Sequence, residues 1–145
     1  RFRVIGDGGT RPKLQEELAK CDANNVELLP PTDREGVKAA YRDSDYLLIH
    51  LNDLPAFEKV LPSKLFEYAA TKKPVLAGVS GYPAKFLKEH VDGVMVFPPG
   101  EVDNMISQLE SSTWCSHERK GFTSHFSREN IMQEMVGQIQ RKYLK

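Results

Sequence analysis

Short apolar runs alternate along the chain with segments in which apolar residues recur at helical spacing, a pattern that predicts parallel strands covered by helices. Five runs read as strands: Phe2 to Ile5, Val26 to Leu29, Tyr46 to Leu51, Pro74 to Ala77 and Gly93 to Phe97. The third is apolar nearly throughout, the composition of a strand buried on both faces, so it is placed mid-sheet. The expected fold is α/β, a Rossmann-like parallel sheet of about five strands with helices on both faces and a helical tail over 114–145.

The helices between the strands have readable ends. Thr10 and Pro12 open one whose Leu14, Leu18 and Cys21 share a face, with Glu16 and Glu17 near the positive end of the dipole. Thr32 and Glu35 have capping-box spacing ahead of Val37, Ala40 and Tyr41. Pro62-Ser63 starts a helix that runs to about Lys72, where Pro74 forbids continuation. Pro83 opens a short helix carrying Phe86 and Leu87, and Val102, Met105, Ile106 and Leu109 mark a fifth. Beyond Ser111 the alternation stops; Ser127 caps a last helix with Ile131, Met135, Ile139 and Tyr143 on one stripe, and Trp114, Phe122 and Phe126 anchor this tail.

Charge narrows the functional classes. The 145 residues carry 20 Lys and Arg against 20 Asp and Glu, which argues against a polyanion-binding surface and hence against nucleic acid. No apolar run reaches the ~20 residues of a spanning helix, so no membrane insertion is expected and a cytoplasmic protein is the default. Cys21 and Cys115 are far apart and read as two free thiols; neither they nor His90, His117 and His125 show metal-ligand spacing. No metal and no cofactor are expected. Because the sequence begins at Arg1, directly on a strand, it reads as one domain, 1–145, of a longer chain.

In an open parallel α/β sheet, ligands bind beyond the carboxyl ends of the strands. Gly6-Asp7-Gly8-Gly9-Thr10 permits a tight turn there, but Arg11 replaces the third glycine of a dinucleotide fingerprint. The connection Pro55 to Tyr68 is more informative. Free N–H groups at the start of its helix form an anion site suited to a diphosphate, which Lys64 can supplement, and Glu67 one turn later can accept hydrogen bonds from the vicinal hydroxyls of a ribose. The competing reading has Ser63 as a plain cap and Glu67 as a surface acid. His50 ends a buried strand near the site and reads as a satisfied core or rim histidine, with a ligand contact as the alternative, and Tyr82 either lines the pocket or packs.

The segments V-I-G-D-G, N-V-E-L-L-P-P-T-D-R-E, Y-R-D-S-D-Y-L-L-I-H-L, L-P-S-K-L-F-E-Y-A-A-T-K-K-P-V-L-A-G and G-V-M-V-F-P-P-G-E, in this order, resemble the carboxy-terminal, donor-binding half of retaining GT-B glycosyltransferases of the family 4-like type. In particular they resemble the bacterial branch that builds capsule, O-antigen or exopolysaccharide. The resemblance implies a nucleotide-sugar donor and, as a further partner, an amino-terminal acceptor domain toward which the last helix reaches. It implies that the backbone around Ser63, Lys64 and Leu65 holds the donor diphosphate, that Glu67 holds the ribose, and that Pro30, Pro31 and Thr32 flank the base, Thr32 doubling as helix cap. The family carries a second acid eight positions before the ribose acid; Lys59 stands there, with Glu58 one residue off register, so either Glu58 or Lys59 is the donor-sugar contact. The parent enzyme is then cytoplasmic, or peripheral at the inner membrane face. Two other readings compete: a sugar-nucleotide epimerase of the same architecture, and a noncatalytic flavodoxin-like module, which predicts no nucleotide binding.

Overall fold

The structure is a computed structural model describing residues 1–143; Leu144 and Lys145 of the expected tail lie outside the described residues. Its Cα positions divide into two compact units, Arg1–Asp43 and the chain from Ser44 onward.

In the first unit the order is β1 (Phe2–Ile5), α1 (Arg11–Lys20), β2 (Val26–Leu29) and α2 (Arg34–Arg42). The strands pair in parallel, Phe2 opposite Val26 and Ile5 opposite Leu29. Arg11 joins their carboxyl ends: its Nη1 donates to the carbonyls of Gly6 and Leu29 at 2.5 and 3.0 Å. The residue that breaks the glycine fingerprint thus closes the turn with its own side chain. Two helix expectations need correction. The cap of α2 is Asp33, whose Oδ1 accepts from the Gly36 amide at 2.8 Å, and not Thr32; one residue's shift leaves Glu35 in the first turn without a capping box. In α1, Glu16 and Glu17 lie beyond the first turn and pair with Lys20 at 2.8 and 3.1 Å.

The second unit contains β3 (Leu47–His50), a 3-10 helix (Pro55–Lys59), α3 (Ser63–Ala69), β4 (Val75–Gly78), α4 (Gly81–His90), β5 (Val94–Phe97), α5 (Val102–Ser111), α6 (Lys120–His125) and α7 (Arg128–Tyr143). Its sheet is parallel in the order β3-β4-β5. The strands therefore stand where the apolar runs place them, but pair as sheets of two and three in place of one sheet of about five. Within the larger sheet the central strand is β4, buried at all four residues, whereas β3 lies at an edge with Leu48 and His50 exposed. A continuous apolar run is compatible with either position, and the pairing puts the VLAG strand at the centre.

Helix α3 ends at Ala69, short of the expected Lys72, because Thr71 Oγ1 donates to the Tyr68 carbonyl and accepts from the Lys73 amide, folding the chain into a turn before Pro74. Helix α4 starts two residues before Pro83, at Gly81. The core gathers Leu65 and Ala69 from α3, Val75, Ala77 and Val79 from β4 and its exit, and Phe86 and Leu87 from α4. Full burial of a side chain such as Leu65 contributes roughly 2 kcal/mol. The tail closes this core. Phe122 and Phe126 meet at 4.6 Å between centroids and lie 6.4 and 5.2 Å from Phe86, so the anchoring role expected of them holds. Trp114 remains half exposed, its Nε1 donating to the Asp45 carbonyl. Ser127 Oγ accepts from the Asn130 amide at 3.2 Å, as expected of a cap. The stripe of Ile131, Met135 and Ile139 on α7 is exposed.

Arg119 holds the amino-terminal ends of β4 and β5. Only 7% exposed, its guanidinium donates to the carbonyls of Asp92 at 2.6 Å, Thr71 at 2.8 Å and Lys73 at 3.0 Å. Burial lowers its pKa and the Asp92 carboxylate opposes that. Arg119→Met should leave three carbonyls without their donor and cost about 3 kcal/mol or more in urea unfolding. A loss below about 1 kcal/mol would show that water replaces the guanidinium there.

Candidate functional site

The loops after β3, β4 and β5 are tied to one another at the carboxyl ends of the strands. Gly81 has φ +62°, and a Cβ on it would stand 2.5 Å from the Glu58 carbonyl oxygen and 2.6 Å from Glu58 Cβ. Glycine is required twice over, by the left-handed backbone and by the close approach. This contact seats the 3-10 helix that carries Glu58 and Lys59 on the start of α4. His50 joins the third loop: its Nε2 accepts from the Gly100 amide at 3.0 Å, and its ring lies over Gly78, where a Cβ would collide with it. The rim reading of His50 is the observed one.

The sequence-nominated residues of the second unit sit on this platform as follows. Pro62 is the N-cap of α3, with extended backbone, so Ser63 is the first helical residue and makes no capping hydrogen bond. Ser63 and Lys64 are exposed, while Leu65 is buried at 1% exposure and fixes the turn against the core. Lys64 Nζ donates to Glu67 Oε2 at 3.0 Å, so the ammonium and the carboxylate assigned to neighbouring parts of one ligand already pair across one helical turn. Both are about half exposed, and such a pair contributes under ~1 kcal/mol, little enough for a ligand to separate it. Tyr68 behind them stays a neutral phenol: burial pushes its pKa up, the Lys64 ammonium draws it down and the Glu67 carboxylate adds to the rise. Glu58 and Lys59 are exposed on the 3-10 helix, and Tyr82 is 53% exposed in the first turn of α4. Pro30, Pro31 and Thr32 belong to the first unit, exposed beyond the carboxyl end of β2.

A family model for glycosyl transferases group 1 matches residues 1–122. The chain belongs to that family. Neither the curated proteins nor the solved structures gave a match. Glycosyl transfer is the general activity of that family, and the matched span includes every nominated residue, ending at Phe122, where the tail enters the core. Helix α7 lies beyond it.

The sequence reasoning missed Gly81 and Arg119, the residues that hold the two ends of the larger sheet. A glycine followed by Tyr-Pro at a strand exit is a detectable signal for the first; nothing in the irregular stretch before α6 marks the second. Asp43-Ser44-Asp45 has the D-x-D spacing of some metal sites, yet it stands at the α2–β3 junction, ahead of the amino end of β3. Among the described residues no group of three His, Cys, Asp or Glu residues is placed to hold a metal ion. A recess of about 540 Å³ between Lys88 and Val94 lies at the amino end of β5, away from the tied loops, and belongs to a different part of the surface.

Gly81→Ala should strain the backbone and push the 3-10 helix away from α4, costing about 1 to 3 kcal/mol in thermal or urea unfolding. Amide exchange at 56 to 59 should accelerate in the same variant. Unchanged exchange there would mean that the contact does not hold the loop.

Proposed function

We propose that the chain is the nucleotide-sugar-binding domain of a retaining glycosyltransferase of the family 4-like type, binding a UDP- or GDP-sugar for transfer to an acceptor hydroxyl in bacterial capsule, O-antigen or exopolysaccharide synthesis. The observation that carries the reading is the family match across 1–122, which includes the whole P-S-K-L-F-E-Y helix start. The ordered loops around that helix support it.

In this reading the backbone around Ser63, Lys64 and Leu65 holds the diphosphate, the Leu65 amide giving up its 3.0 Å bond to the Pro62 carbonyl if it takes part; Glu67 holds the ribose, Pro30, Pro31 and Thr32 flank the base, and Glu58 or Lys59 approaches the donor sugar. Negative charge develops on the departing diphosphate as the glycosidic bond to the nucleotide breaks. Amides fixed at a helix start, with the Lys64 ammonium beside them, stabilise that charge without reorganising at the moment of reaction. Neither a metal nor a cofactor is required for this step. Binding the diphosphate draws Lys64 from Glu67 as the carboxylate turns to the ribose hydroxyls, so the observed pair is one that the donor exchanges for its own contacts.

The acceptor and the remaining contacts at the reacting centre come from an amino-terminal domain. The exposed stripe Ile131, Met135 and Ile139 on α7 supports a docking role for this helix against that domain. No helix among the described residues is long and apolar enough to cross a membrane. The proposed setting is the cytoplasm, with the parent enzyme peripheral to the inner membrane face.

Titration of the domain with UDP, GDP and their sugars should shift the amide resonances of 63 to 67. Silence from that segment at millimolar ligand would overturn the reading in favour of a noncatalytic module. In the parent enzyme, Glu67→Ala removes charge-assisted hydrogen bonds and should lower donor use about 10- to 100-fold. Turnover close to that of the unaltered enzyme would sink the ribose assignment. A product that is the epimerised donor, formed with no acceptor present, would favour the epimerase instead.

A further inference from the structure

At the amino-terminal ends of β4 and β5, away from the donor loops, three side chains from two segments form a relay. Cys115 Sγ stands 3.3 Å from His117 Nε2, and His117 Nδ1 stands 3.1 Å from Asp92 Oδ2. The imidazole is 16% exposed, and the thiol is exposed. Its position is enforced from two sides. The His117 main-chain amide donates to the Lys72 carbonyl at 2.9 Å, and the ring fills the space where any Cβ on Gly93, at φ +67°, would fall.

This arrangement selects the tautomer. An ionised carboxylate can only accept, so Nδ1 carries the proton and Nε2 presents its lone pair to the thiol. The Asp92 carboxyl is held below the usual aspartate range, chiefly by its hydrogen bond with His117, which keeps it an acceptor at neutral pH. Around the relay lie the Lys72–Glu118 ion pair and the Arg119 guanidinium, whose charge also lowers the Asp92 pKa. An open recess that includes Asp92 and Gly93 adjoins the Asp92 end of the relay. A nucleophile, a base within reach and a third group orienting the base is the arrangement that activates a thiol.

We propose that Cys115 is an activated thiol, a modification site that takes up a small disulfide as a mixed disulfide. The thiol proton passes to His117 Nε2 as sulfur attacks one sulfur of the incoming RS–SR. The Cys115–S–S–R bond forms, the original S–S bond breaks, and the departing RS⁻ takes the proton from the imidazolium. Cys115 is oxidised and the leaving sulfur is reduced, so no further reactant is needed. Asp92 acts as a positioning residue, holding the imidazole in the tautomer that accepts the proton.

The chain supplies its own control. Cys21 is also exposed, and the unit that carries it contains no histidine. Cys21→Ser and Cys115→Ser variants of the whole chain, incubated with oxidised glutathione at neutral pH and followed by intact mass, compare the two thiols directly. The Cys115 adduct should form at least about tenfold faster than the Cys21 adduct. In the Cys21→Ser background, His117→Gly should remove that advantage and added imidazole should restore part of it, a rescue that a merely structural histidine would not give. Asp92→Asn changes a mostly exposed side chain and keeps the test available should the His117 variant fail to fold; it should slow Cys115 severalfold. Equal rates at the two cysteines, or a Cys115 rate untouched by Asp92→Asn, would overturn the proposal.

Discussion

A single guanidinium decides how the larger unit closes. Arg119 enters the amino-terminal end of the sheet and supplies donors to the carbonyls of Thr71, Lys73 and Asp92, which the turns before β4 and β5 leave without partners in the sheet ladder. A carbonyl screened from water and left without a donor is costly, so these half-exposed turns can close over the sheet end because this side chain reaches them. The same segment then delivers Phe122 into the core beside Phe66 and Phe86. Polar closure and apolar closure are thus consecutive steps along one stretch of chain, and β4 can be buried at every residue because both are complete.

That closure leaves the two ends of the strands with different work. At the amino end the chain is fastened by side chain to main chain. At the carboxyl end it is fastened by close approach of backbone to backbone, Gly81 against Glu58, and by the His50 ring against the Gly100 amide. Main-chain groups in the loops after β3, β4 and β5 are therefore placed by the scaffold, while the side chains above them, Ser63, Lys64 and Glu67, remain exposed to a ligand. Such a division suits the proposed donor-binding surface: main-chain groups are fixed before a ligand arrives, and the Lys64–Glu67 ion pair is one that water already weakens.

Much of this could be read in the sequence. The strands, the helix beginning beside Pro62, the Ser127 cap and the anchoring role of Phe122 and Phe126 follow from periodicity, proline chemistry and aromatic placement. The errors fall where two local signals compete or where a distant residue decides. Thr32 and Asp33 are both good capping residues, and the choice between them rests on which oxygen the Gly36 amide meets. The Thr71 side chain shortened α3 by offering the backbone an alternative partner. The apolar run of β3 suggested a strand covered on both faces, yet it pairs only with β4 in its sheet.

The sequence by itself determined which segments become strands and helices, and which of its motifs belong to glycosyl transferases group 1, because both are carried by local spacing and by short runs of residues. Tertiary structure alone decided that β4 is the central strand of the larger sheet, that Arg119 serves three carbonyls up to 48 residues away, and that Cys115, His117 and Asp92 meet. These outcomes depend on contacts between residues far apart in the chain, whose individual propensities carry no record of one another.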